Sequence, residues 1–201
     1  MLKQLKPALL MTLVLCVLTG IIYPGVVTGL ARVFFPRQAD GSLVSVNGRV
    51  VGSALIGQPF TRPEYFHPRP SAAGAGYDAT ASSGTNKGPT DALLADTVLT
   101  RRVDSTVTVE RGVKGKIPSD MVTASASGLD PDISPANAQL QVARVAKARG
   151  ADSAAVRALV DAHTKGRQFG FFGEARVNVL LLNIAADSGF PMSMITVPAK
   201  R

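Results

Sequence analysis

An uninterrupted apolar run near the N-terminus constrains this chain more than any other feature. No charged residue occurs between Pro7 and Ala31, where Leu, Val, Ile, Met and Ala dominate. As a helix this run would extend about 37 Å, enough to cross a hydrocarbon core of about 30 Å. It is longer than the apolar region of a secretory signal peptide and lacks a small-residue cleavage site. We therefore predict an uncleaved single-pass membrane helix over residues 7–35, preceded by a short segment, residues 1–6.

Small and helix-breaking residues interrupt the predicted membrane helix at Gly20, Pro24, Gly25 and Gly29. Neighbouring helices can satisfy the backbone groups that such residues free, and small residues four apart let two helices approach closely. We therefore predict Gly20, Pro24, Gly25 and Gly29 as contact positions for a partner or the membrane. Basic residues flank the helix in equal number on both sides, so local charge does not predict its orientation.

The remaining residues, 36–201, are predicted to form one α+β domain of mixed helices and strands. Asn47-Gly48 lies between two short apolar segments and can supply the positive φ angles of a type I′ turn, which indicates a β-hairpin. Residues 57–90 are rich in Pro and Gly and show no helical or strand periodicity. Their aromatic residues favour burial, so we predict an ordered loop that wraps against something.

Helix signals concentrate late in the chain. Ser134 and Pro135 suit the N-cap and first position of a helix that Gly150 would end. Asp152 or Ser153 can cap the next helix, which Gly166 would stop. The other predicted elements are a helix from Thr90 or Asp91 that includes Leu93, Leu94, Thr97, Val98 and Arg101, a strand or continued helix at 106–109, a strand at 121–123 and a helix at 177–186.

No catalytic or metal-binding constellation is visible in the sequence. The single cysteine, Cys16, lies in the apolar run and excludes an intramolecular disulfide and a cysteine-based zinc site. Only two histidines occur, and the sequence contains neither a P-loop nor a Gly-x-Ser-x-Gly nucleophile elbow. We therefore predict no catalytic residue and no metal site, and the Asp130-Pro131-Asp132 carboxylates are expected to form a turn before the Ser134 cap.

Two further patterns of the sequence do not indicate a binding site. The chain carries a net charge of +8, but its basic residues are not interleaved with aromatic residues, so nucleic-acid binding is not predicted. The glycines after residue 165 do not have the spacing of a dinucleotide-binding fingerprint. The phenylalanines among them, Phe169, Phe171 and Phe172, are expected to fill a core or an interface.

Several long strings in the sequence resemble one known family. They are residues 69–78 (RPSAAGAGYD), 83–90 (SGTNKGPT), 123–135 (TASASGLDPDISP) and 176–183 (RVNVLLLN), with shorter matches at 23–29 and 52–58. In this order they are similar to the C subunits of the Kdp potassium-transporting ATPases, the KdpC family. The resemblance covers nearly the whole chain, and it departs from the family pattern at Ala126, where glycine is expected, and at Asp132, where histidine or another polar residue is expected.

The resemblance implies an accessory, non-catalytic subunit of an ATP-driven, high-affinity potassium uptake complex. Its implied partners are a channel-like potassium-binding subunit, a P-type ATPase subunit and a small single-helix subunit. It implies a single-pass protein of the bacterial inner membrane, with residues 1–6 cytoplasmic and residues 36–201 periplasmic. No cofactor is expected to be firmly bound.

The resemblance leaves the role of the subunit open. It could support assembly and stability of the complex, or act as a catalytic chaperone that raises the ATP affinity of the ATPase subunit through a ternary complex. A local acidic patch including Asp78, Asp130 or Asp132 could also attract potassium. A membrane-anchored periplasmic enzyme or sensor acting alone is the alternative function.

Overall fold

The computed structural model describes residues 2–96, 102–110 and 116–191. The chain divides into two compact units, Met1–Ser53 and Ala54–Arg201. Three residues of the helix predicted after Asp91, namely Thr97, Val98 and Arg101, lie outside the described residues, as do residues 192–201 of the predicted domain.

The first unit begins with the long apolar helix that the sequence predicts. It spans Leu5–Phe34 and is, within the described part of the chain, the one helix long and apolar enough to cross a membrane. It consists of α1 (Leu5–Val17), a π-helical segment (Leu18–Ile22) and α2 (Tyr23–Phe34), after a short 3₁₀ turn (Leu2–Gln4) and before α3 (Pro36–Ala39).

The π-helical segment comes directly before the proline of this helix. Pro24 has no N–H to donate, and its ring crowds the carbonyl of Gly20 one turn earlier. The N–H of Tyr23 accordingly donates to the carbonyl of Leu18, five residues back. The helix therefore continues through the proline by local widening rather than by ending there.

The Asn-Gly hairpin completes the first unit and confirms the predicted turn. Strands β1 (Leu43–Val46) and β2 (Arg49–Ser53) pair antiparallel, with an irregularity between Val44 and Ser45. Asn47 and Gly48 have φ angles of 52° and 76°, the left-handed values that a type I′ turn requires.

The second unit is a mixed helix and strand domain, which confirms the predicted fold class. Its sheet has three short antiparallel strands in the order β3-β5-β4. The elements are α4 (Ala92–Ala95), α5 (Val103–Val109), α6 (Ser119–Val122), β3 (Asp132–Ile133), α7 (Pro135–Arg149), α8 (Ser153–Ala162), β4 (Thr164–Lys165), β5 (Arg176–Asn178) and α9 (Val179–Gly189).

The core lies between helices α7, α8 and α9 and the central strand β5. The buried hydrophobic residues that form it are Phe66, Ile133, Ala138, Val142, Val145, Ala146, Val156, Val160, Val177, Val179 and Leu182. Most come from the three helices, so the late helical signals of the sequence also define the core. Ile133 and Val177 come from strands β3 and β5, and Phe66 enters this core from the long Pro/Gly-rich loop.

The predicted N-caps of α7 and α8 and the glycine that ends α7 are confirmed, whereas α8 ends at Ala162 and not at the predicted Gly166. The Ser134 hydroxyl accepts the N–H of Asn137 at the start of α7, and Gly150 ends that helix with a φ of 63°. Asp152 caps α8 by accepting the N–H of Ala154. These helices therefore begin and end where local side-chain chemistry satisfies their terminal backbone groups.

Several predicted strand and helix assignments need correction. The strand predicted at 121–123 is wrong, because Ser119–Val122 forms a helical turn that buries Val122. At 106–109 the helical alternative holds, within α5. Residues 177 and 178 belong to strand β5 rather than to the last helix, because they pair with β3 on one side while Val177 pairs with β4 on the other. Asp132 likewise lies in β3, not in a turn.

The Pro/Gly-rich loop is ordered, as predicted, and two amide side chains hold its backbone. Asn183 of α9 accepts the N–H of Phe66 at 2.8 Å and donates to its carbonyl at 3.0 Å. Gln141 of α7 makes the same pair of bonds to His67, at 2.7 and 3.0 Å. The loop thus gains from two helices the backbone partners that a strand neighbour would otherwise supply.

Candidate functional site

The strings that carry the family resemblance meet each other in the second unit. The Ser71 hydroxyl donates to the carbonyl of Gly128 at 2.6 Å and accepts the N–H of Tyr77 at 2.8 Å. The Tyr77 hydroxyl donates to the carbonyl of Arg69, and burial raises the pKa of this phenol. String 69–78 is therefore folded on itself and fixed against string 123–135.

Close backbone approach explains a glycine at the centre of this junction. Gly128 has a φ of 68°, and a Cβ there would lie 2.6 Å from the nitrogen of Ala73 and from the carbonyl oxygen of Ser83. The family pattern has glycine at position 126. In this chain Ala126 does not have a positive φ angle. The alanine therefore fits its backbone, whereas Gly128 needs glycine for both conformation and space.

A polar cleft of about 440 Å³ opens beside the junction. Two ion pairs lie among its lining residues: Arg69 with Asp130 at 2.9 Å, and Arg176 with Asp132 at 3.1 Å. The cleft is lined by Arg69, Pro118, Ser119, Asp120, Asp130, Asp132, Ile133, Ser134, Glu174, Ala175 and Arg176.

The carboxylates of the cleft have structural partners. Asp120 accepts the backbone N–H and hydroxyl of Ser134 at 2.7 and 3.0 Å, so it fixes the start of α7. Burial raises the pKa of Asp132, against a hydrogen bond from Asn178 that lowers it; the charge of Asp130 raises it further. Asp130 accepts the N–H of Asp132 at 3.0 Å.

These contacts weaken the physical basis of the potassium hypothesis. Asp130 and Asp132 are each neutralised by an arginine, and Asp78 instead accepts hydrogen bonds from Thr80 and does not line the cleft. In residues 2–96, 102–110 and 116–191 no group of three or more His, Cys, Asp or Glu side chains could hold a metal ion. The cleft offers recognition of charged or polar groups rather than a built cation site.

The four predicted contact residues of the apolar helix lie on an exposed surface. A Cβ built on Gly20, Gly25 or Gly29 would meet nothing within 4 Å, and the helix buries none of its residues. Gly25 and Gly29 are four residues apart on α2 and share one face, next to Pro24. Gly20 lies in the π-helical segment. The helix therefore presents a smooth face at Gly25 and Gly29.

Buried polar residues are the positions that sequence reasoning missed. Asn183 interrupts an apolar helix, and Gln141 falls among the buried residues of α7. A polar side chain within an apolar helical stripe was the available signal, because such a group must find a hydrogen-bond partner when buried. The partner itself, a loop backbone far away in the chain, has no local signature.

Comparisons with known proteins agree on one family. The family of K+-transporting ATPase c chains, KdpC, matches residues 5–188. Relatives named "Potassium-transporting ATPase KdpC subunit" include one from Gemmatimonas aurantiaca, 65% identical over 189 residues, covering 94% of each chain. Another from Koribacter versatilis is 55% identical over 192 residues, covering 94% of this chain and 97% of the relative.

A third relative with the same name, from Rhodospirillum rubrum, is 53% identical over 193 residues, covering 96% of this chain and 100% of the relative. The matched region therefore includes the apolar helix, the contact between strings 69–78 and 123–135, and the core helices. The chain belongs to the KdpC family, the C subunits of potassium-transporting ATPases.

Proposed function

We propose that this subunit supports assembly and stability of the potassium uptake complex by packing its apolar helix against the other membrane subunits. The observation that carries this proposal is the exposed helix Leu5–Phe34, whose glycines have open space around them. A lone helix in lipid gains stability mainly by close packing with other helices, which small residues permit. The face of Gly25 and Gly29 is the proposed contact with the channel-like subunit.

Enlarging this face tests the assembly role. We expect Gly25→Leu with Gly29→Leu to reduce the amount of channel-like and ATPase subunits that co-purify in mild detergent. Forcing two leucines into a close helix contact costs about 1–3 kcal/mol, which corresponds to a loss of association of about 5-fold to 150-fold. The measurement is the subunit stoichiometry of the purified particle.

Val27→Leu provides the matched control, because residue 27 is two positions from both glycines and faces away from them. It adds apolar volume to the same helix and should leave the stoichiometry unchanged. If the double variant co-purifies like the wild type, these glycines are not the contact. If the wild-type chain itself purifies alone and hydrolyses a substrate, the anchored enzyme is the better account.

The proposal also places residues 36–201 on the periplasmic side. With Cys16→Ser removing the only cysteine, Ala154→Cys puts one thiol in the exposed first turn of α8. We expect a membrane-impermeant maleimide to label it in cells with a permeabilised outer membrane. The control, Gln4→Cys in the same background, should react only after the inner membrane is broken.

The same experiment tests the proposed assembly role against the alternative of a catalytic chaperone. ATP is cytosolic, so a domain labelled from outside has no direct route to the nucleotide, and the assembly role is then favoured over the catalytic chaperone. Protection of Ala154→Cys until lysis would overturn the proposed orientation. It would also place the domain where it can meet ATP bound to the ATPase subunit.

A further inference from the structure

The loop between β4 and β5 carries three phenylalanines that the domain core does not bury. Phe169, Phe171 and Phe172 are 88%, 64% and 58% exposed. The expectation that they fill a core is therefore wrong for this domain, and the alternative is an interface outside it. Three large aromatic side chains exposed together are unusual, because burying such surface is the main driving force of folding and association.

Backbone hydrogen bonds fix the conformation of this loop. Gln168 and Phe172 exchange N–H to carbonyl bonds of 2.9 Å in both directions, closing a tight turn. Phe169 has a φ of 52°, a conformation that phenylalanine rarely adopts, and Gly170 follows with 83°. The rings of Phe171 and Phe172 lie 4.3 Å apart. The aromatic tip, defined as residues 168–172, is thus a formed protrusion.

Basic residues lie at the base of the aromatic tip. Lys165 and Arg176 are opposite each other in the β4–β5 pair, and Arg167 directly precedes the tip. Lys165 and Arg167 are exposed, whereas Arg176 is paired with Asp132, and Glu174 is the one acidic residue of the connection 166–175. The loop therefore has apolar side chains at its tip and cationic side chains at its base. This order matches a phospholipid surface, where acyl chains lie beneath the phosphate groups.

We propose that the aromatic tip inserts into the interfacial region of the phospholipid bilayer that anchors the chain, with Lys165 and Arg167 at the level of the lipid phosphates. A convex protrusion of three residues fits a deformable lipid layer without needing a matching pocket. Because the apolar helix holds the domain at the membrane, insertion is intramolecular and avoids most of the cost of association. The inference requires the membrane anchor but not the subunit contact of the helix.

A tryptophan reporter tests the insertion, because the chain contains no tryptophan. The full-length Phe171→Trp variant is placed in nanodiscs of phosphatidylethanolamine and phosphatidylglycerol, whose two leaflets are both open to solvent. We expect blue-shifted emission, quenching by lipids with brominated acyl chains and protection from iodide. The control, Leu93→Trp, labels another exposed apolar position of the same unit and should show the reverse pattern.

Charge reversal at the base gives the second arm. Each basic residue near an anionic surface contributes about a five-fold change in the binding constant, so Lys165→Glu and Arg167→Glu should each lower the ratio of inserted to solvent-exposed reporter by at least that factor. Retention in the nanodisc shows separately that the anchor is intact, and far-ultraviolet circular dichroism shows that the domain is folded.

Two results would overturn the inference. The first is iodide quenching of Phe171→Trp as strong as in the Leu93→Trp control, with no effect of brominated lipid. The second is a reporter shielded from both quenchers only when the other Kdp subunits are present, which would assign the aromatic tip to a protein contact.

Discussion

Replacing Arg144 by methionine is expected to destabilise the second unit by about 3–5 kcal/mol, because it leaves a buried carboxylate without its cation. The Arg144 Nε lies 2.7 Å from Glu110 Oε1, and the two side chains are only 9% and 3% exposed. The same guanidinium donates to the carbonyl of Tyr65 at 2.8 Å and to Gln141 Oε1 at 2.6 Å. The substitution therefore removes both the ion pair with Glu110 and the hydrogen bond to the loop at Tyr65.

The measurement is denaturant unfolding of the full chain in detergent, followed by circular dichroism. Arg157→Met is the matched control, since Arg157 is exposed on α8 and donates only to Gln139 among the described residues. We expect this control to change the free energy of unfolding by less than about 0.5 kcal/mol. Equal stability of the two variants would show that the Arg144 pair contributes nothing beyond an exposed one.

The Arg144→Met variant should also acquire a distinct pH dependence. Burial raises the pKa of Glu110 above its ordinary value, and Arg144 offsets only part of this. A carboxyl whose pKa is higher in the folded state binds more protons there. Its contribution therefore falls as pH rises from the unfolded pKa through the folded one.

Without Arg144 the folded pKa of Glu110 rises further, so the variant should lose stability over a wider pH range than the wild type. The slope approaches about 1.4 kcal/mol per pH unit between the two pKa values. Adding Glu110→Gln should remove this slope and recover part of the stability. Parallel pH profiles for variant and wild type would contradict the assignment of the slope to Glu110.

Replacing Asn183 by alanine is expected to cost about 3 kcal/mol or more of stability. The Asn183 amide satisfies both backbone groups of Phe66, and both residues are buried. Each backbone group left unsatisfied in the interior costs about 1–3 kcal/mol. Because Phe66 belongs to the core, release of its backbone should also loosen the packing of α9 against the loop.

Thermal unfolding followed by tyrosine fluorescence measures this loss of stability, since Tyr65 directly precedes Phe66. The control is Ser188→Ala on the same helix, where an exposed hydroxyl donates to its own helix backbone. We expect that control to stay within about 0.5 kcal/mol of the wild type. A loss of less than about 1 kcal/mol for Asn183→Ala would mean that water replaces the amide at the Phe66 backbone.

The strings that identify the family are, in this structure, largely positions that hold the backbone. Ser71 and Asn183 hydrogen-bond to the main chain of a distant segment, and Gly128 lets the main chain of a distant segment approach closely. Such contacts explain why these strings are long and specific without forming a catalytic constellation. The exposed features, the helix face and the aromatic tip, are instead where contacts with other molecules are proposed.

Part of this structure follows from the sequence alone because the responsible interactions are local. An uncharged apolar run determines a membrane-length helix, Asn47-Gly48 determines a tight hairpin, and Ser134 and Gly150 determine where α7 begins and ends. Each of these signals acts within a few residues, through hydrophobicity, allowed φ angles or a capping hydrogen bond.

Tertiary structure alone decided the rest. Strands of two or three residues carry no readable alternation, so Asp132–Ile133 and Arg176–Asn178 became strands only by pairing across the fold. The burial of Phe66 and the exposure of the aromatic tip depend on whether a distant helix reaches each segment. Asn183 binds the backbone of Phe66, whereas the aromatic tip extends beyond the core. Contacts between segments far apart in the chain are set by packing, so the local sequence does not predict them.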